Sequence, residues 1–381
     1  QSIRKDDKLD CTRGAVTGLL KTASQEFPWL QWGHADLPGA SVDDDVDLVL
    51  MELQAQEKNC ERAWRDGRRW VPRLQPVDFS RTGNSESLPF KQGGFYLMTG
   101  GLGGIGTHFA RYLLSNYQAR ILIVGRTSLH SQPESSNTNG KVDEKRKVYE
   151  ELGRLGCVDY RHVDVSDSAG LAAAVADAKH RWNAELAGII HLAGVYQEGA
   201  LVDETKESLD AVLRPKLQGS LALHSLIAHS PQALFLSFGS VNGFLGGFSV
   251  GAYSVANAFL DSLTDFQREL GLRSYCLKWS LWEETGMSRG LATKEAARAR
   301  GYYSIAPEQG VHSMLAVLGR DCIHPLIGLD ASKEAIRQYC EDGSPELRRL
   351  AAYCVSRDRA VDVTELGRSL PLGCKLQLLE R

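Results

Sequence analysis

The sequence predicts a doubly wound α/β fold, a parallel sheet covered by helices on both faces, and three observations carry that expectation. After residue 92, short apolar runs alternate with stretches of helical spacing. The runs are continuous rather than alternating apolar and polar, the mark of strands buried on both faces. A glycine-rich turn joins the first run to the first helical stretch.

The elements follow in order. Residues 94–99 (GFYLMT) read as a strand and 104–115 as a helix. Residues 120–125 (RILIVG) read as a second strand, and 142–155 as a charged helix. The third strand is placed at 160–165 (YRHVDV), followed by an alanine-rich helix at 171–181. The fourth is placed at 188–192 (GIIHL), with helical material at 206–228. Two more strands, 233–238 (ALFLSF) and 274–278 (SYCLK), flank a helix at 252–270. This alternation is the pattern of repeated strand–helix–strand units.

The first 80 residues carry a weaker echo: a helix at 15–26, a strand at 30–37 (LQWGHADL), a helix at 46–56 and a strand at 69–74 (RWVPRL). No glycine fingerprint accompanies them, so this half reads as a degenerate copy of the second without a ligand site. Residues 81–87 (RTGNSES) read as a linker and 131–140 (SQPESSNTNG) as a loop. The expected organisation is a structural subdomain at 1–85, a nucleotide-binding catalytic subdomain at 86–330 and an extension at 331–381.

The bulk properties exclude several functions. The 381 residues carry 44 basic and 47 acidic side chains, a net charge of −3. A balance so near neutral gives no electrostatic ground for nucleic acid or an anionic membrane as partner. No apolar run reaches the ~18 residues of a membrane span. The eight cysteines are scattered and form no C-x-x-C pair, which fits reduced thiols in a cytoplasmic enzyme. The chain opens on Gln1, read as a fragment boundary.

The turn Thr99-Gly100-Gly101-Leu102-Gly103-Gly104-Ile105-Gly106 satisfies G-x-G-x-x-G at Gly101, Gly103 and Gly106. Between a strand and a helix, such glycines allow a tight turn, and a pyrophosphate then sits at the helix N-terminus. A Rossmann-type dinucleotide fold follows. Arg126 stands 20 positions after Gly106, where an NAD site carries an acid. With Thr127 it favours the 2′-phosphate of NADPH, which a guanidinium attracts. Asp164, followed by Val165, has two readings: contact with the adenine edge, or a cap on the next helix.

Tyr253 is the natural acid for ketone reduction, in Gly251-Ala252-Tyr253-Ser254-Val255-Ala256-Asn257. A phenol ordinarily titrates near 10 and needs a nearby cation to give up its proton readily. Lys216 is the candidate cation.

These residues resemble the ketoreductase domain of modular polyketide synthases and nonribosomal peptide synthetases, a complex branch of the short-chain dehydrogenase/reductases. Short-chain reductases usually place lysine four residues after the tyrosine, where this chain has Asn257; in the resembling family Lys and Asn have exchanged places. Lys216 opens a match to K-x-x-G-x-x-x-L-H, running through Gly219, Leu223 and His224. Ser240 lies 24 residues after Lys216 and 13 before Tyr253.

The resemblance implies that Tyr253 protonates the carbonyl oxygen and Ser240 hydrogen-bonds it. It implies that Lys216 lowers the tyrosine pKa and holds the nicotinamide ribose, while Asn257 supports a proton-relay water. His191-Leu192-Ala193-Gly194-Val195 resembles the segment that lines the cofactor, with His191 itself read as a core histidine. Trp279-Ser280-Leu281-Trp282 and Gly286-Met287 resemble the segment leading into a substrate lid, expected at 288–303. The implied function is NADPH-dependent reduction of a ketoacyl thioester, borne on the phosphopantetheine of an acyl or peptidyl carrier protein, beside other megasynthase domains. The alternative is a silent, reductase-shaped scaffold.

Two family markers of product stereochemistry are not intact: Tyr196-Gln197-Glu198 replaces Leu-Asp-Asp, and Leu245 replaces a Trp eight before Tyr253. A β-ketoacyl substrate is the family default, and an α-ketoacyl substrate is the rival. Residues 347–371 loosely resemble part of the small C-terminal subdomain of adenylation domains. They read either as a remnant of one or as a plain extension.

Overall fold

A nine-stranded, wholly parallel sheet forms the centre of the computed structural model, which describes residues 9–39, 41–55, 60–77, 88–129, 136–283, 294–340 and 350–353. The N-terminal region gives α1 (Val16–Glu26), β1 (Gly33–Asp36), α2 (Val42–Gln54), β2 (Cys60–Arg65), β3 (Arg68–Trp70) and β4 (Leu74–Pro76). Then follow β5 (Phe95–Thr99), α3 (Gly104–Tyr117), β6 (Arg120–Gly125), α4 (Ser136–Leu155), β7 (Cys157–His162), α5 (Ser168–Trp182) and β8 (Leu186–His191). The site-bearing part gives α6 (Lys206–Lys216), α7 (Gln218–Ser225), β9 (Leu234–Ser240), α8 (Asn242–Leu245), α9 (Gly251–Glu269) and β10 (Arg273–Trp279). It closes with β11 (Leu281–Trp282), α10 (Lys294–Ala299), β12 (Ser304–Ile305), α11 (Pro307–Leu318), β13 (Leu326–Ile327), α12 (Glu334–Arg337) and β14 (Leu350–Tyr353).

The sheet order is β4-β14-β13-β10-β9-β8-β5-β6-β7. Every residue of β5, β8 and β9 is buried, as helices on both faces require. Side chains alternate between two cores. Tyr96, Met98, Ile121 and Ile123 join Phe109 and Leu113 of α3. Phe95, Leu97, Leu122 and Val124 join Leu171 and Val175 of α5. The chain runs outward one way from β5 through β6 and β7, and the other way from β8 through β9 and β10. Such a reversal opens a crevice beyond the C-terminal strand ends.

The N-terminal region forms its own small sheet, β1-β2-β3, with β1 and β2 parallel and β2 and β3 antiparallel. α1 packs directly on α9. A Cβ at Gly18 would stand 2.5 Å from the Ser254 carbonyl oxygen, so the contact needs glycine.

Four local expectations are corrected. The third strand is 157–162, not 160–165, and Asp164 lies beyond its end. It is the half-exposed edge of the sheet, so burial imposes no continuous apolar run there. β2 (CERAWR) was not predicted, because its charges hide it. Arg62 and Glu52 are paired at 2.8 Å, and Arg65 reaches Asp36 at 3.2 Å. The expected strand 69–74 is two short ones, β3 and β4, split around Pro72. The expected loop 131–140 is helical from Ser136 onward. The linker at 81–87 lies outside the described residues.

Gly18→Ala should overpack the α1–α9 seam and cost about 1–3 kcal/mol. Gly153→Ala, on an exposed turn of α4 with nothing within 4 Å of the added methyl, should stabilise by about 0.5–1 kcal/mol. Urea denaturation of the two variants beside the parent chain checks both signs.

Candidate active site

The crevice beyond the strand ends is a cavity of about 960 Å³. Gly103, Gly104, Ile105 and Gly106 line it from the start of α3. Ala193 and Gly194 line it after β8, and Lys216, Ser240 and Tyr253 complete the set. Nine predicted site residues thus face one space.

The glycine turn works by close approach. Gly100 has φ +70°, and a Cβ there would stand 3.1 Å from the Ala193 nitrogen. A Cβ on Gly106 would stand 2.5 Å from the Gly100 carbonyl oxygen. α3 can therefore start against β5 only if position 106 is glycine. No side chain caps α3 at Gly103, so its first amides are left to an anion. The cradle suits a dinucleotide pyrophosphate.

Lys216 ends α6 with its side chain 2% exposed. Its ammonium donates to Asn257 Oδ1 at 2.7 Å and to the Phe238 carbonyl oxygen at 2.8 Å. Burial lowers its pKa to about 8. Asn257 Nδ2 donates back to the Tyr253 carbonyl oxygen at 2.7 Å, one turn earlier in α9. The Lys216 ammonium stands 5.6 Å from the centre of the Tyr253 ring. Burial raises the Tyr253 phenol, and hydrogen bonds from Ser240 and Asn257 oppose it. A phenol beside a buried ammonium is suited to passing a proton to an oxygen that is gaining negative charge.

Profile comparison matches residues 94–284 to the family described as "KR domain". That span covers half of the chain. The chain belongs to the KR-domain family.

This ketoreductase is therefore an oxidoreductase acting on a keto group, with the nicotinamide cofactor of that family. It is 30% identical over 381 residues to polyketide synthase GfsA of Streptomyces halstedii, covering 98% of this chain and 5% of that one. It is 28% identical over 323 residues to polyketide synthase PksM of Bacillus subtilis, covering 84% and 7%. The ketoreductase thus spans a small fraction of these relatives. Among solved structures, it resembles an adenylation, ketoreductase and pseudo-Asub multidomain structure of a keto acid-selecting NRPS module. That likeness has TM-score 0.76 and 31% identity, and it covers 88% of this chain and 28% of the other. A ketoreductase domain from the bacillaene assembly line is similar at TM-score 0.70 and 27% identity, covering 82% and 72%.

The remaining predicted site residues do not line the cavity. Thr99 is fully buried, and its hydroxyl accepts from the Ala193 amide at 3.0 Å, joining β5 to the loop after β8. Gly101 turns toward Met98 and Ile123, and Leu102 sits in the core. Val165 is also core, packed on Gly219. Asn257 stands behind Lys216 and Tyr253. Arg126 is exposed at the end of β6, and Thr127 accepts from Lys145 Nζ at 2.7 Å.

Asp164 does not cap α5; Asp167 does, accepting from the Gly170 amide at 2.9 Å. Asp164 Oδ1 instead accepts from the Ser166 amide and hydroxyl at 2.8 and 2.6 Å. Those bonds, with Arg214 and Arg126, lower its carboxyl pKa against burial. Of the expected lid, residues 288–293 lie outside the described residues, as do Gly286 and Met287. Ala296, Ala297, Arg300 and Tyr302, in and after α10, line the cavity.

Sequence reasoning missed three contributors. Asn242 accepts from Ser240 Oγ at 3.0 Å and fixes that hydroxyl. Tyr196 packs edge-on against Tyr253 with ring centres 5.1 Å apart. Lys145 joins Arg126 near the end of β6. Lys145 had a signal only as one of several cations in a charged helix, and Tyr196 only as a departure from a family marker.

His191 is buried, with Nδ1 2.8 Å from Thr99 Oγ1. Burial and the nearby Lys216 ammonium lower its pKa to about 3. A histidine depressed in the folded state stabilises fully above its unfolded value of about 6.5, and that contribution is lost as pH falls toward 3. The His191 ring resonances should stay flat from pH 8 to pH 5 in an NMR titration, while stability declines below about pH 6.5.

Proposed function

We propose that this ketoreductase uses NADPH to reduce the ketone of a carrier-tethered ketoacyl thioester to the hydroxyacyl thioester. The observation that carries the reading is the linked set Lys216–Asn257–Tyr253, facing the same cavity as the glycine cradle. The cofactor, when bound, supplies the hydride for the carbonyl carbon. Gly103, Gly104, Ile105 and Gly106 would hold its pyrophosphate, with Ala193 and Gly194 on the facing wall.

Tyr253 gives the phenolic proton to the carbonyl oxygen and is left as a phenolate. Lys216, which pairs with no carboxylate among the described residues, stabilises that phenolate and so makes the phenol a stronger acid. Ser240 orients the carbonyl oxygen, itself oriented by Asn242. Asn257 holds Lys216 in place. Arg126, just after β6, and Lys145 of α4, which donates to Thr127, supply the positive charge a 2′-phosphate needs. Asp164 and the backbone of Val165 lie at the adenine end. A scaffold without catalysis would have no use for a buried lysine aimed at a phenol, which counts against the silent reading.

The substrate reading leans to an α-ketoacyl thioester rather than a β-ketoacyl one. Support comes from the likeness, at TM-score 0.76, to the keto acid-selecting module. It also comes from β14, a strand of the C-terminal extension that inserts between β13 and β4. On this reading the protein has three pieces, residues 1–85, 86–330 and 331–381, and acts in the cytoplasm within a megasynthase beside a carrier protein.

NADPH oxidation followed with matched α-keto and β-keto acyl thioesters should be faster with the α-keto compound. Tyr253→Phe should lower kcat by about 10²–10⁴-fold. Arg126→Glu should weaken NADPH relative to NADH by about tenfold or more. No oxidation with either thioester, despite NADPH binding, would favour the scaffold.

A further inference from the structure

α9 carries Tyr253, Asn257, Asp261 and Asp265 at four-residue intervals, a slowly turning stripe along one helix. The first two belong to the site described above. The next two lead away from it into a cluster of charge. Asp261 Oδ1 pairs with Lys278 Nζ at 3.2 Å, and Lys278 is 1% exposed. His324 Nδ1 lies 3.7 Å from Asp261 Oδ1, and His324 Nε2 lies 2.9 Å from Asp265 Oδ1. Two carboxylates thus face one ammonium and one imidazole behind the catalytic centre.

The placement of Lys278 is informative. It lies on β10 in register with Gly239, and its neighbour Trp279 is in register with Ser240. A Cβ at Gly239 would touch the Lys278 side chain at 3.5 Å. Lys278–Asp261 therefore ties α9 to β10, the strand paired with the one that ends in Ser240. Lys216–Asn257 ties α9 to α6 one turn earlier. Two buried lysines brace consecutive turns of the helix that carries Tyr253.

We propose that Asp261 is a positioning residue for the reduction: through Lys278 it fixes α9, and with it Tyr253 and Asn257, against β10 and its neighbour β9. The inference rests on the roles proposed above for Lys216, Asn257 and Tyr253. Burial opposes ionisation of Asp261, yet Lys278 and His324 hold its pKa down at about 2. Burial likewise opposes charge on His324, and Asp265 with Asp261 outweighs it and raises that pKa. Burial lowers the Lys216 pKa, and Cys276 and then Asp261 oppose it.

The groups around Asp261 are few. β10 presents Cys276 and Lys278, the segment before β13 presents His324, and α6 presents Lys216. Opposite them, across a cavity of about 570 Å³, lie Arg13 and Lys21. Arg13 pairs with Asp10 and Lys21 with Glu61. His34, Asp36 and Asp45 also line this cavity, with Asp10 and Glu61.

The test measures kcat, KM for NADPH, thermal midpoint and the pH profile of kcat for the 381-residue chain and its variants. In Asp261→Asn the anion behind Lys216 is gone, so its ammonium yields its proton at lower pH. kcat should fall about tenfold, the alkaline limb should move down by about half a pH unit or more, and KM for NADPH should stay within about twofold. Asp261→Glu should restore both. Lys278→Met leaves the carboxylate without its cation, so the alkaline limb should move up instead.

Damage to packing alone would not move the limb in opposite directions. A folded Asp261→Asn with parental kcat and limb overturns the inference, as does a shift of the same sign in both variants. If Asp261→Asn does not fold, Lys278→Met decides: an upward limb supports the inference and an unmoved one sinks it. Tyr253→Phe separates the two levels. Its inactivity with Asp261→Asn unaffected removes only this inference, whereas parental activity in Tyr253→Phe overturns the proposed site and the inference with it.

Discussion

The buried Lys216 ammonium is the constraint on which the rest of the site depends. A charge taken out of water must be satisfied where it lies, or it neutralises or unfolds its surroundings. Here it is met by a carbonyl of β9 and an amide oxygen of α9. Three elements far apart in sequence must therefore arrive together: the end of α6, the last three residues of β9 and the second turn of α9. Ser240 and Tyr253 belong to those same elements. Satisfying the lysine and assembling the site are one structural event.

The cofactor half of the crevice follows a different logic, that of close approach. Gly100 and Gly106 let the β5–α3 turn fold tightly, and Thr99 links that turn to the loop after β8. The parallel sheet makes both possible, because the order in which its strands are added reverses between β5 and β8 and leaves a gap there. The glycine turn provides amides without side chains, and the lysine-centred half provides side chains with set hydrogen bonds. Family membership, the cradle and the linked triad thus converge on one cavity.

Much of this was legible in the sequence, and what was not has physical causes. Fully buried strands announce themselves as apolar runs, so 120–125 was placed residue for residue and β5, β8, β9 and β10 to within two. The edge strand β7 was placed three residues late because its half-exposed faces accept Asp159 and Arg161. β2 was invisible because its buried charges are neutralised by partners elsewhere, Glu52 and Asp36, which no local pattern displays. At the candidate site, the spacing of Lys216, Ser240 and Tyr253 is specific enough to single them out, and all three line one cavity. Gly101, Leu102 and Val165 were assigned to the cofactor by proximity in sequence, but in the structure they face the core. Asn242 carries no sequence signal, and Tyr196 is visible in the sequence only as a departure from a family marker, because their roles come from contact with other side chains.

The exchange of lysine and asparagine has a consequence for the electrostatics of the proposed acid. Asn257 has both ends committed, Oδ1 to Lys216 and Nδ2 to the Tyr253 carbonyl. Its side chain is therefore locked although it carries no charge. A carboxylate at that position would hold the lysine more strongly, but it would also neutralise the field that favours the phenolate. A neutral acceptor holds the cation without cancelling it. The nearest anion along the stripe is displaced one helical turn, to Asp261, where Lys278 and His324 balance it. On the proposed reading that carboxylate acts on α9 through Lys278, and the neutral Asn257 leaves the Lys216 charge free to act on Tyr253.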